Sequence, residues 1–497
     1  MAARRGEDLR IVTTMSNLKR RRRSSARKSL YAALVLVAAA AVGFGGWLGR
    51  VVPHVKAFNW LAVDYAADPA VDLLRRYVAI DTSVPDGDPP AGAEFLAEHL
   101  RAAGLPVTIE RVGEKDVNLW SILEGEDPRA IVLHHHIDVE AVGRPEAWKY
   151  PPFSATIEGP WLYGRGAFDM KSVAMAQLEA FLRLAKQAAA GRRPARSVIL
   201  LATSGEETGS DLGMRWVLRN HPDLVERFDV VLTEGGVVEG RAVDEVKYWG
   251  TEFVQKRVVR VTLCGDDRQR LVDLRDELIG DLMSPRGLGV SPELRTFLAH
   301  YASTRDRTDW RRLLADPVAL ARDPVAFAGM PDYIQAMFRN QAVPTPVQET
   351  SGGWELAISV HLLPGAPFEA AFAELVPPWR RHGLGVTVYD EGAAGRGSPA
   401  DHPVLAEIRD VLSARYPGSK SGPMFLPWTL TDARFLRARG IPAYGFSPFM
   451  VLSPEVQGWL LGDHANERIA LNGFVEGVEI YAELLERLAM RPPGPES

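Results

Sequence analysis

Three short apolar runs, each ending in ionisable residues, constrain this chain more than any other feature. They read "AIVLHHH" (130–136), "RSVILLATS" (196–204, with Glu206 and Glu207 just beyond) and "DVVLTEGG" (229–236). Each is continuous rather than alternating, as a strand buried on both faces requires. Between the first two lies "SVAMAQLEAFLRLAKQA" (172–188), with apolar residues at helical spacing. The same spacing marks helices in "AVDLLRRYVAI" (70–80), "AEFLAEHLRAAG" (93–104) and "LNGFVEGVEIYAELLERLA" (471–489). "PVTIERV" (106–112) and "NLWSILEG" (118–125) alternate as strands do. Strand and helix in alternation predict an α/β fold whose mixed central sheet is flanked by helices. In such sheets ligands gather at the C-terminal strand ends, where the polar clusters fall.

With 497 residues, 46% of them hydrophobic, the chain can bury more than one core. From about 252 to 390 the texture changes. "KRVVRVTLCG", a long helical stretch through 267–340, "WELAISVHLLPG", "FEAAFAELVPPWRRHG" and "LGVTVYD" predict a smaller β–α–β–α–β unit. This inserted α+β domain (252–390) splits the main domain into 65–251 and 391–490. A net charge of −5 gives no electrostatic case for a nucleic-acid partner. The single cysteine, Cys264, excludes an intramolecular disulfide and a multi-thiolate metal site, and is expected in the core.

The N-terminus carries a separate signal. "LKRRRRSSARK" (18–28) precedes "SLYAALVLVAAAAVGFGGWLG" (29–49), whose apolar run holds no charge. At 1.5 Å per residue that run spans roughly 30 Å, the thickness of a bilayer core. It predicts a transmembrane helix with the basic tail (1–28) in the cytoplasm and the rest of the chain outside, which would be the periplasm if the source is a bacterium. A cleaved signal peptide, with Ala-rich sites near Ala39–Ala41, is the rival reading.

The strand ends collect His136 and Asp138, Glu206 and Glu207, and Glu234; Asp169 in "YGRGAFDMK" and His464 in "GDHANERI" are of the same type. Imidazoles and carboxylates suit Zn²⁺, with Co²⁺ and Mn²⁺ compatible. One carboxylate shared between two ions would give a two-metal hydrolytic site.

The constellation resembles the co-catalytic zinc metallopeptidase family of carboxypeptidase S, carboxypeptidase G, aminoacylase-1 and succinyl-diaminopimelate desuccinylase. "HIDVE…W…PPFSATIEGPWLYGRGAFDMK" stands where carboxypeptidase S-like members carry H-x-D-V-V, W-x-x-P-P-F and Y-G-R-G-x-x-D-x-K. "TDARFLRARGIPAYGFSP" (431–448) and "HANERI" (464–469) are similar to later motifs of that family. The resemblance implies that His136 and Glu234 bind one ion, Glu207 and His464 the other, and that Asp169 bridges them. It implies Glu206 as general base and Asp138 as the carboxylate behind His136 that fixes its tautomer. It also implies a cis peptide at Asp169–Met170, Arg434 as a binder of the substrate carboxylate, and dimerisation through the inserted domain. The implied activity is hydrolysis of a small peptide or an N-acyl amino-acid amide bond near a free carboxylate.

The inserted domain departs from the family pattern. A G-H-S-type segment is expected after its first strand, but "LCGDDRQRL" (263–271) has no His. "QETSGGWELAISVHLLPG" (348–365) has no Asn-Pro, and His361 stands where an Arg is usual. A clamp rebuilt from His361 and Arg434 is one consequence. A metal-binding but non-catalytic module at the membrane is the alternative function.

Within the triplet, only His136 has an Asp two residues on. His134 should share its side of the strand as a buried neighbour, and His135 should face the other side.

Overall fold

The computed structural model describes residues 65–492, apart from 237, 243–244, 283, 285–286, 305–307, 391–392, 394–396 and 453–464. The basic tail, the apolar run at 29–49 and His464 lie outside the described residues. Among the described residues no helix is long and apolar enough to cross a membrane.

Along the chain, strands β1 (Thr108–Val112), β2 (Asp116–Leu123) and β3 (Asp127–His136) precede a small hairpin, β4 (Thr156–Glu158) and β5 (Trp161–Tyr163). Then come β6 (Arg196–Thr203), β7 (Phe228–Thr233), β8 (Val238–Ala242) and β9 (Glu245–Gln255). Next are β10 (Arg257–Gly265), β11 (Gln341–Pro344), β12 (Gln348–Thr350), β13 (Gly353–Leu362) and β14 (Gly385–Tyr389). The chain finishes with β15 (Ser421–Leu426), β16 (Ala443–Gly445), β17 (Met450–Leu452) and β18 (Arg468–Ala470).

The large sheet has the order β1-β2-β6-β3-β7-β16-β9-β8-β17, with β15 also paired to β9. Its centre is parallel, β3 lying between β6 and β7, while β1 and β2 run antiparallel at one edge. The three apolar runs are these central strands, and alternate side chains enter two cores. Ile131, Leu133, Val198, Leu200 and Leu232 meet the helices Lys171–Ala189 and Leu471–Met490 on one face. Val132, Ile199, Leu201 and Val231 meet Met214, Val217, Phe435 and Leu436 on the other. A strand covered on both sides needs apolar residues at every position, so the sequence runs do not alternate.

The second sheet, β11-β13-β10-β14 with β12 on β13, is antiparallel throughout. Val259, Val261 and Leu263 of β10 and Leu356, Ile358 and Val360 of β13 pack under the helices Arg268–Asp281 and Phe368–Leu375. Cys264 is not core: it falls out of phase with Leu263 and is half-buried on the other face. The long helical stretch expected through 267–340 is, among the described residues, six separate helices. Three of its breaks coincide with capping residues followed by proline: Ser291-Pro292, Asp316-Pro317 and Asp323-Pro324. Each cap side chain accepts a backbone N–H and each proline takes the first helical position, so each pair starts a new helix. Leu294, Phe297 and Leu298 of this stretch join the core of the large sheet.

Candidate metal centre

The ends of β3 and β6 lie level, His136 opposite Thr203, and Leu133 of β3 pairs with Leu232 near the end of β7. The residues just past these strands therefore share one rim. His136 is buried there. Its Nδ1 lies 2.7 Å from the backbone carbonyl of Asp138. A carbonyl only accepts, so Nδ1 carries the proton and the Nε2 lone pair is left for a ligand. Nε2 sits 3.3 Å from Asp169 and 3.5 Å from Glu234. Burial opposes charge on this imidazole, but Glu234 and Asp169 outweigh it and hold its pKa well above the ordinary value.

Ligand atoms of His136, Asp169 and Glu207 lie within 4.8 Å of one another, as do those of His136, Glu206 and Glu234. Burial and then the charge of Asp169 push Glu207 and Glu234 well above the ordinary carboxylate range. Carboxylates packed this closely out of water call for positive charge, which a divalent cation supplies. The donor set of one imidazole and several carboxylate oxygens fits such ions. The peptide Asp169–Met170 is cis.

Glu206 and Glu207 follow Gly205, whose φ of +79° lies in the left-handed region that favours glycine. The Asp138 carboxylate accepts the backbone N–H of Glu206 at 3.3 Å and of Glu207 at 3.1 Å. Its nearest oxygen to His136 Nδ1 is 3.8 Å away. Asp138 thus orients the imidazole through its backbone oxygen, because the side chain is turned to the Glu206–Glu207 corner. Glu206 is partly buried and lies against Arg434, Nη1 to Oε1 at 3.3 Å. Burial pushes Glu206 up to about 7, against the pull of that guanidinium.

His134 has Nδ1 2.9 Å from Thr233 Oγ1 and Nε2 3.0 Å from Thr203 Oγ1. Burial drives its pKa down to about 3, so it is a neutral cross-link between the ends of β6 and β7. His135 points the other way, donating from Nδ1 to Gln177 of the helix Lys171–Ala189 at 2.9 Å. His361 is placed in the second sheet, opposite Gln341 and Val258. Burial and the nearby Lys256 lower its pKa to about 3. Arg434 also donates to the Thr431 carbonyl at 2.8 Å, so it is built into the wall beside Glu206.

One residue of the rim received no role from the sequence. Glu467 is buried and accepts N–H bonds from Phe168 and Asp169. Its only signal was its place in "HANERI", three residues after His464.

The fold and the imidazole–carboxylate cluster define a metal-dependent hydrolase. The chain belongs to Peptidase family M20/M25/M40, whose sequence model matches residues 132–487. It is 29% identical over 451 residues to aminoacylase-1B of Rattus norvegicus, covering 86% of this chain and 97% of that one. An M20 family metallo-carboxypeptidase from Sulfolobus solfataricus shares the fold with a TM-score of 0.62 at 16% identity, over 84% of this chain and 99% of that one. Human carnosine dipeptidase 1 does so with a TM-score of 0.61 at 15% identity, over 86% and 97%.

Proposed function

We propose that this chain is a two-metal hydrolase that cleaves a peptide or N-acyl amino-acid amide bond next to a free carboxylate. The observation that carries this is the placement of Glu206 beside His136 and Glu234, with ligand atoms of all three within 4.8 Å of one another. His136 and Glu234 would hold one ion, Glu207 and His464 the other, and Asp169 would be shared. The role of His464 rests on the sequence. When bound, the ions act as Lewis acids on the scissile carbonyl and make water acidic enough to attack near neutral pH. Zn²⁺ is the ion this donor set suits best, with Co²⁺ or Mn²⁺ as replacements.

The chain's own part is proton transfer and orientation. Glu206 takes a proton from the attacking water and gives it to the leaving amine, work for which a pKa near the operating pH is best. Arg434 steadies the Glu206 carboxylate, and with His361 is the candidate for meeting the substrate carboxylate. Aminoacylase, carboxypeptidase and dipeptidase relatives support an amide substrate of this class. A non-catalytic binding module is not favoured, since the base stands within the ligand cluster.

The basic block at 18–28 and the apolar run at 29–49 support a single-pass anchor with the hydrolase outside the cytoplasm. A homodimer through the inserted domain is supported by its exposed apolar residues: Ile279, Trp379, Val386, Val388 and Tyr389 all lie there.

The test is a screen of the metal-loaded protein against dipeptides and N-acyl amino acids, beside Glu206→Gln. We expect the variant to keep its metal and lose about 10²–10⁴-fold in kcat. Unchanged turnover in Glu206→Gln removes this residue as the base. The sign of the pH dependence is also fixed. Glu206 accepts a proton only when ionised, so kcat/KM falls on the acid side, with its limb at or below about pH 7. A rate that holds down to about pH 4, where ordinary carboxylates protonate, contradicts the assignment.

A further inference from the structure

The rim holds a buried carboxylate that the reaction does not use. Glu467 is 2% exposed, and its two oxygens collect four donors. Oε1 accepts the backbone N–H of Phe168 at 2.8 Å and of Asp169 at 2.9 Å. Oε2 accepts the N–H of Gly166 at 2.8 Å and Nη1 of Arg165 at 3.1 Å. Three N–H groups of one loop turned on a single anion make a nest. The loop is the one that carries Asp169.

The neighbours of Glu467 fasten the same region. Gly164 donates to its backbone carbonyl at 3.0 Å. Asn466 Oδ1 accepts the N–H of Lys149 at 2.6 Å, and its Nδ2 donates to Ala147 at 2.9 Å. Arg165 is held in turn by the Ala141 carbonyl at 2.9 Å and lies over the Trp148 ring.

We propose that Glu467 is a positioning residue for the metal centre, locking the Asp169 loop in the geometry that two cations need. The inference rests on the reading of Asp169 as the shared ligand. A carboxylate that would serve two ions has to be held in one orientation, and a loop free to move would present it in many. Glutamine at this position is not a conservative change. It keeps the size but turns one acceptor into an NH₂ donor. That donor must face either the N–H groups of Phe168 and Asp169 or those of Gly166 and Arg165, and donor against donor moves the loop.

The experiment measures Zn²⁺ affinity of the full chain by competition with a chelator, together with the unfolding midpoint of the metal-free protein. Glu467→Gln should stay folded and bind at least one ion about 10–100-fold more weakly. Its kcat should fall while KM stays within about twofold, and added Zn²⁺ should restore part of the rate. A lower midpoint with parent-like affinity would mean a purely structural role and overturns the proposal. Where Glu467→Gln does not fold, Glu467→Asp decides, since it keeps the charge and shortens the reach: weaker binding supports the proposal and parent-like binding overturns it. Asp169→Asn separates the two claims. If it binds both ions as the parent does, the shared-ligand reading fails and the proposal falls with it. If it loses an ion while both Glu467 variants keep theirs, only the role of Glu467 is refuted.

Discussion

At the C-terminal ends of β3, β6 and β7 the chain buries His134, Asp138, Asp432 and Glu467, most of them answered by named partners. In the second sheet, β10 and β13 bury Val259, Val261, Leu263, Leu356, Ile358 and Val360 and leave their alternate positions half-open. The second sheet is held by apolar area, which tolerates exchange of one hydrophobic side chain for another of similar size. The rim of the large sheet is held by charges and hydrogen bonds out of water, where losing one partner strands the other. The difference shows where structural specificity is concentrated: on the few buried polar residues at the rim of the large sheet.

Four substitutions can break or sharpen this contrast. The largest effect is expected at Arg437, whose guanidinium forks onto buried Glu252 at 2.6 and 2.5 Å across the large sheet. Arg437→Met should cost about 3–5 kcal/mol in urea unfolding, because Glu252 is left buried without its guanidinium, with the Gly445 N–H as a remaining donor. Asp138→Asn comes next. It gives up one of the two oxygens that receive the Glu206 and Glu207 N–H groups, and kcat/KM should drop about 10–100-fold. His135→Ala should destabilise by about 1–3 kcal/mol, since Gln177 Oε1 loses its donor, while elemental analysis finds the metal content unchanged. Thr387→Ala, on the exposed strand β14, should change stability by no more than about 0.5 kcal/mol and leave the kinetics alone. If Thr387→Ala costs as much as His135→Ala, the two regions do not obey different rules.

The central strands were legible because burial on both faces demands unbroken apolar runs. The cluster was legible because its residues follow those runs directly, as Glu206, Glu207 and Glu234 do. Asp138 was expected to meet His136 through its carboxylate, but it does so through its backbone oxygen. Which of its atoms meets His136 depends on backbone torsions that spacing does not encode. Glu467 escaped because its four donors lie about 300 positions away in sequence, and only the closed fold brings them together. Three of the breaks in the 267–340 stretch were written in Ser-Pro and Asp-Pro pairs, a local signal that helical periodicity overrode. Arg434 was read as a binder of the substrate carboxylate, whereas its contact with Glu206 makes it part of that carboxylate's environment as well.

The central proposal is that the chain binds two divalent ions with His136, Glu234, Asp169 and Glu207 of this rim as ligands, joined by His464 on the evidence of the sequence. Elemental analysis after equilibration with Zn²⁺ and removal of free metal tests it most directly, on the parent chain and on His136→Ala. The account predicts two ions per parent chain, and a loss in His136→Ala that His135→Ala does not share. Fewer than one ion in the parent, or an unchanged count in His136→Ala, would contradict it.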